Sequence, residues 1–377
     1  MRWIVTLALV VCVTGALKSQ QERASDDDLR AAAAGDAAAK ARLLKVVDEK
    51  TLERLLRFWR KPPAEELLKN GDFSRGFKHW KRVTAMRSGR VGVFEVAKDK
   101  NNRPFFHYSR LGSADGSTVM LRQKVSRKVD FKHLFVYLHG RVIRHDLDSS
   151  GWWSTKHGGQ GEYPLMVRIE YLDKYEKKHM WAFGVLTKKN TEPFENYWIL
   201  PARRWGLLWV DMLDDRGLLK PNRRKRNNGA SIPYPAVLRY VWVGGKGWEY
   251  EGEVRRVGLL GVRDVDGFMW LLEGALEGEK ERRELFEAVL RRGLPDEDFA
   301  AWRKFLKAAK QAGSDEWARR KEAKKVLGKI CAKAFPVFLA LRYTRWKRSS
   351  VECRAALMKI FHEPVRPAPS AEHKGSK

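Results

Sequence analysis

The stretch "LLKNGDFSRGFKHWKR", Leu67 to Arg82, decides the fold of the chain's middle. It follows a run of helical composition, yet Gly71 and Gly76 stand among Phe73, Phe77 and Trp80. Glycine costs a helix interior stability, so two of them beside these aromatics argue against a continued helix. Asn70-Gly71 reads as a turn that needs positive φ. Phe73 and Trp80 can then enter an apolar interior, while Gly76 lets the loop fold back.

Beyond this stretch the apolar period is that of strands. "TVMLRQKV" (Thr118–Val125) alternates, with Val119, Leu121, Gln123 and Val125 on one face. "HLFVYLHGRVI" (His133–Ile143) is almost continuously apolar, as a strand covered on both faces would be. "PLMVRIEYLD", "HMWAFGVL", "VLRYVWVG" and "EVRRVGLLGV" follow, with Gly, Pro, Asn and Asp in the gaps. Short strands separated by turn residues predict an antiparallel β-sandwich over about 68–263 rather than a βαβ fold.

Helices flank it. Residues 25–61 begin with acids, suited to a helix N-terminus, and continue in alanine and leucine, with a break near Asp48 and a stop at Pro62-Pro63. From Asp266 helical spacing returns through to about 362, and "RRGLPDEDF" ends one helix and opens the next. Phe299, Trp302, Phe305, Leu306 and Ala309 form an apolar stripe, which would favour assembly with a protein partner if exposed. Lys321, Lys325, Lys329 and Lys333 recur every fourth residue, and residues 363–377 read as a disordered tail. The fold class is therefore multi-domain α plus β, a sandwich between a helical arm and a basic helical domain.

The middle resembles the galactose-binding-like β-sandwich superfamily, the jelly roll of many carbohydrate-binding modules. The entry motif of that family stands here as Leu67, Leu68, Asn70, Gly71, Phe73, Gly76 and Trp80. "STVMLRQKV", "GGQGEYPLMVRIEYLD" with "HMWAFGVL", and "GWEYEGEVRRVGLLGV" extend the resemblance through to Val262, about half the chain. Many members hold a structural calcium through a carboxylate after the entry Phe and an acid on the closing strand. Ser74 and Arg255-Arg256 occupy those places here, and calcium wants six to eight oxygen ligands, so no calcium is expected there.

Charge narrows the partners. Lys and Arg number 75 against 46 acids, leaving +29, a surface that attracts acidic glycan, anionic lipid or nucleic acid. The start "MRWIVTLALVVCVTGALKSQ" joins Arg2, an apolar run from Trp3 to Val13 and small residues to Ala16, the pattern of a signal peptide cleaved after Ala16. The run is shorter than the roughly 20 apolar residues of a membrane span. Export to the periplasm, cell envelope or medium is expected. A membrane tether through an uncleaved or Cys12-lipidated N-terminus is the alternative, although Val11 stands where a small residue normally precedes a lipidated cysteine. Cys331 and Cys353 then remain, as a disulfide or as two small buried residues on neighbouring helices.

The binding residues expected from sequence lie in and after "DSSGWWSTKHGGQGEYP" (Asp148–Pro164). Trp152 and Trp153 offer flat faces for a sugar ring, with His157, Gln160, Glu162, Arg168 and Glu170 to take hydroxyls. The same two Trp could instead cap the sandwich end. Arg223, Arg224, Lys225 and Arg226 put four cations in one turn, a solvated loop or a contact for an acidic envelope polymer. No metal set is expected, since His133, His139 and His145 lack ligand spacing and no cysteine or acid completes them. Neither a G-x-S-x-G elbow nor a P-loop occurs, and nothing singles out two carboxylates as a glycosidase pair. Non-catalytic binding of carbohydrate or another envelope polyanion is the leading expectation. A structural protein of the envelope that docks a protein partner is second, and nucleic-acid binding, which conflicts with the leader, is third.

Overall fold

The computed structural model describes residues 26–86, 89–112, 117–146, 162–188, 196–213, 234–295, 299–312, 316–330, 334–340, 342, 354–355, 357 and 361–362. They cluster in two units. One takes the described residues up to Glu66 and from Val262 to Leu357; the other takes Leu67–Gly261 and residues 361–362. The first holds helices α1 (26–33), α2 (Ala37–Leu43) and α3 (Glu49–Arg60) and strand β1 (Ala64–Glu66). It continues with α4 (Val265–Glu277), α5 (Lys280–Arg291), α6 (Phe299–Gln311), α7 (Trp317–Ile330) and α8 (Phe335–Ala340). The second holds β2 (Lys81–Ala85), β3 (Arg90–Lys98), β4 (Pro104–Leu111), β5 (Ser117–Lys128), β6 (His133–Asp146) and β7 (Tyr163–Leu172). Its later strands are β8 (Lys178–Leu186), β9 (Asn196–Ile199), β10 (Gly206–Asp211), β11 (Val237–Gly247), β12 (Glu249–Val262) and β13 (Phe361–His362).

Two sheets form, in the orders β13-β10-β6-β12-β4-β3 and β2-β5-β11-β7-β8-β9. The chain passes from one sheet to the other between β2 and β3, β4 and β5, β5 and β6, β6 and β7, β9 and β10, β10 and β11, and β11 and β12. That winding is a jelly-roll sandwich. Most registered pairs are antiparallel; β9 on β8 and β13 on β10 run parallel. Alternation fills the interior: β5 turns Val119, Leu121 and Gln123 inward, β6 Leu134, Val136 and Leu138, and β7 Leu165, Val167, Ile169 and Tyr171. β6 is buried on both faces from Leu134 to Gly140, which explains its unbroken apolar sequence.

The entry stretch lines one end of this interior. Phe73 and Trp80 are buried 5.9 Å apart, with Phe106 against Phe73. Asn70 is the hub. Its Nδ2 donates to the carbonyls of Gly76 and Lys78, its Oδ1 accepts from the Arg75 N–H, and its carbonyl accepts from the Trp80 indole. The positive φ expected at Asn70-Gly71 falls on Asn70, at 53°, and also on Phe73, at 57°. Gly71 is required for another reason: its backbone lies so close to β12 that a Cβ would come 2.1 Å from the Val257 carbonyl oxygen. Gly76, at φ 61°, turns the loop as expected.

In the helical unit the break near Asp48 is a cap, its side chain accepting from the Thr51 N–H. A second break, at Gly35 with φ 105°, precedes Asp36, which caps α2 in the same way. The apolar stripe of α6 is buried at Phe299, Trp302, Phe305, Leu306 and Ala309, so it presents no open docking face. Lys321 and Lys325 are exposed on α7, Lys329 lies on the same helix, and Lys333, Cys331 and Cys353 lie outside the described residues. Among the described residues no helix is long and apolar enough to cross a membrane. Phe361 and His362 form β13, on Leu207 and Leu208 of β10, where helix was expected.

Gly71→Ala should lower the unfolding free energy of the sandwich by about 3 kcal/mol or more, because backbone must move. Gly76→Ala should cost only about 1–2 kcal/mol, the left-handed penalty, since nothing lies near its Cβ position. Urea midpoints of the two variants check this; equal shifts would refute the close approach to β12.

Candidate functional site

Of the residues expected to bind, Trp152, Trp153, His157 and Gln160 lie outside the described residues, as do Arg223, Arg224, Lys225 and Arg226. Glu162 stands directly before β7, half-buried. Arg168 and Glu170 lie on β7 between inward-facing residues, so both point away from the interior onto the outer face of the β2-β5-β11-β7-β8-β9 sheet.

Cross-strand partners share a face, and the register therefore assembles the surface around these two. One row runs Lys81, Arg122, Trp242, Arg168 and Ala182 across β2, β5, β11, β7 and β8. The next runs Lys124, Tyr240, Glu170 and Met180. A third runs Val83, Met120, Gly244, Met166, Gly184 and Tyr197. A bulge between Leu238 and Tyr240 inserts Arg239 into β11. Leu238 and Val241 consequently stay buried in the interior while Tyr240 and Trp242 reach the outer face. Gly184 is needed here because the Tyr163 ring lies on it, and a Cβ would sit 1.9 Å from that ring.

The aromatics and cations interlock. The Arg122 guanidinium lies 4.6 Å from the Tyr240 ring centre and 5.0 Å from that of Trp242, and Arg168 lies 5.1 Å from Trp242. Arg168 also donates from Nε to the Met180 sulfur, at 3.1 Å. Glu170, buried, is held by Lys178 at 3.1 Å and Arg239 at 3.8 Å. The Trp242 indole N–H is buried and finds no acceptor among the described residues. This face thus brings together the half-buried rings of Tyr240 and Trp242 and the half-buried Arg122, with Arg168 and the Trp242 N–H buried beneath them. The sequence reading missed Arg122, Tyr240 and Trp242. The signal was present: in "TVMLRQKV" and "VLRYVWVG" they are the residues left over once the inward set is assigned.

The outer face of the other sheet is ion-paired. Trp205 packs under Arg255 at 3.8 Å and Arg141 at 4.8 Å, with the His139 ring 5.1 Å away. Arg141 pairs with Glu253 and Arg255 with Asp99, while Ser74 is tied to Asp72, so both positions considered for calcium carry other interactions. Burial alone would push the Asp99 carboxyl up, but hydrogen bonds from Arg103 and Asn101 pull it down to about 2. Burial, with the positive charge of Arg255, holds the His139 imidazole down at about 3, and burial with Lys188 holds His145 at about 4. His133 pairs with Asp211 at 2.6 Å and His107 with Glu251 at 2.8 Å. Among the described residues no cluster of His, Cys, Asp and Glu could hold a metal ion.

No family model matches the chain, and no curated protein is similar to it in sequence. Among solved structures it is similar to the family 11 carbohydrate-binding module of Clostridium thermocellum in complex with a β-1,3-1,4-mixed-linked tetrasaccharide. There the identity is 10% and the TM-score 0.32, over 53% of this chain and 97% of that one. It is similar to the family 30 carbohydrate-binding module of a Clostridium thermocellum cellulosomal cellulase at 9% identity and TM-score 0.28, over 52% and 96%. It is also similar to the enzymatically active domain of tailspike protein 4 of bacteriophage CBA120, at 9% identity and TM-score 0.30. That match covers 52% of this chain but only 21% of the tailspike chain. Likenesses this distant transfer no ligand and no activity.

Acid should loosen the sandwich earlier than its carboxylates would. His139 is neutral when folded, whereas the unfolded side chain takes up a proton below the ordinary value of 6.5. Its contribution is therefore complete above about pH 6.5 and declines as pH falls toward 3. Between pH 7.5 and 5.5 the loss should be about 1 kcal/mol, outside the range below pH 3.8 where Asp99 protonates. Urea midpoints at the two pH values should differ less in His139→Leu than in wild type.

Proposed function

We propose that the sandwich is a non-catalytic carbohydrate-binding unit whose site is the outer face of the β2-β5-β11-β7-β8-β9 sheet. One observation carries this reading: Tyr240 and Trp242, half-buried and about 7 Å apart along β11, stand in successive rows beside Arg122 and Arg168. A sugar presents apolar ring faces and a rim of hydroxyls, which suits aromatic platforms beside hydrogen-bonding groups. The idle Trp242 N–H supplies a donor whose burial is otherwise uncompensated.

Binding without hydrolysis is supported by the carboxylates. Glycoside cleavage uses two, on opposite sides of the bond. In the rows described above Glu170 stands alone, already engaged by Lys178 and Arg239. Export is part of the proposal and rests on the leader-like residues from Arg2 to Ala16. The target is then a carbohydrate of the cell envelope or its surroundings, approached with the attraction of a +29 chain.

A glycan array and titration calorimetry test the site. Wild type should bind a defined subset of oligosaccharides, and Trp242→Ala should weaken that binding at least tenfold with the fold intact. Trp205→Ala, on the opposite sheet, should leave it unchanged. A flat array, or equal loss in both variants, would sink the assignment. Fractionation that left the protein in the cytoplasm would remove export.

A further inference from the structure

Several arginines in this sandwich are neutralised by carboxylates. Arg141 pairs with Glu253, Arg144 with Asp146 and Glu249, and Arg103 and Arg255 share Asp99. Arg122 and Arg82 are instead held over aromatic rings, Arg82 exposed on Phe77 and Phe94, Arg122 on the outer face beside Trp242. Arg122 is half-buried against Tyr240 and Trp242, and among the described residues no carboxylate pairs with it. An arginine held through ring contacts keeps its in-plane N–H donors for an external acceptor, and their fork matches a carboxylate or sulfate.

The surroundings point the same way. The register places Lys81 and Lys124 on the same face as Arg122, both exposed. Arg168, Lys178 and Arg239 stand on the far side of the aromatic pair, where among the described residues of these rows Glu170 is the carboxylate. A neutral sugar hydroxyl both donates and accepts, so its sites usually mix the two kinds of partner. Around Arg122 the exposed groups of this face are chiefly cationic donors, the ammonium groups of Lys81 and Lys124, with the Tyr240 hydroxyl able to donate or accept. We propose that the saccharide bound here is acidic, with a carboxylate or sulfate seated on Arg122. This rests on the carbohydrate reading above and specifies its substrate class.

A chain of charge +29 attracts every polyanion, so the test must separate Arg122 from overall charge. The full chain is titrated at about 0.15 M salt with oligogalacturonate and its methyl ester, and with dextran sulfate and dextran. Each pair shares a backbone and differs in acid groups. Wild type should prefer the acidic member of at least one pair tenfold or more, and which pair responds tells carboxylate from sulfate. Arg122→Met should erase that preference, whereas Lys321→Met, which removes one exposed charge from α7, should keep it. Arg122→Lys should recover part of it, and unchanged unfolding midpoints exclude misfolding.

Equal affinity for acidic and neutral members, or equal effects of Arg122→Met and Lys321→Met, would overturn the acidic specificity while leaving carbohydrate binding in place. If no saccharide binds at all, the carbohydrate reading falls and takes this one with it. A single-stranded oligonucleotide that displaces the saccharide with the same dependence on Arg122 would overturn it in favour of nucleic acid.

Discussion

The backbone of Lys69 is gripped from both sides by one side chain. Its N–H donates to Gln123 Oε1 at 2.7 Å, and its carbonyl accepts from Gln123 Nε2 at 2.8 Å. A buried amide satisfied in this way cannot turn outward without orphaning two backbone groups. That single contact therefore sets which way β5 faces. With Gln123 inward, Val119 and Leu121 enter the interior, and Met120, Arg122 and Lys124 take the opposite face, where Met120 is buried in a second apolar cluster. A slip of one residue would exchange the two sets. The entry loop, the interior and the surface on which function is proposed share this one anchor.

The anchor also explains what could be read from sequence. The stretch from Leu67 to Arg82 announced a sandwich because glycine and aromatic residues alternate there in a way no helix tolerates. The alternation in "TVMLRQKV" by itself assigns Gln123 to the inward face. Local chemistry accounts for the positive φ of the Asn70-Gly71 turn, which Asn70 takes, but not for the need for glycine at 71, which answers to Val257, distant in sequence. Arg122 and Trp242 went unnoticed for the same reason: their neighbourhood is created by β5, β11 and β7 lying side by side, and strand order is invisible in any one strand. Attention went instead to a loop rich in Trp and Gly, where composition is conspicuous. Arg168 and Glu170 stand out in the sequence because they interrupt an apolar strand.

The two outer faces treat charge differently. Beside Trp205 each guanidinium meets a carboxylate, and the imidazole of His139 is kept neutral by burial and by those cations. Such a face is internally balanced and adds order rather than reactivity. Beside Trp242 the cations exceed the acids, and an indole N–H goes without an acceptor. The same residue types, arginine over tryptophan, thus serve as cladding on one side and as an incomplete arrangement on the other.

The extra residue in β11 has an implication for how this surface can change over time. Because Arg239 resets the phase of the strand, Tyr240 and Trp242 reach the exterior while Leu238 and Val241 keep their interior places. Substitution of Tyr240 or Trp242 leaves the interior set of Leu238 and Val241 in place. Loss of the Arg239 codon would instead turn the platform inside out. Descendants of this gene should accordingly vary on this face by substitution on a frame of constant length, with insertions and deletions in this strand removed by selection.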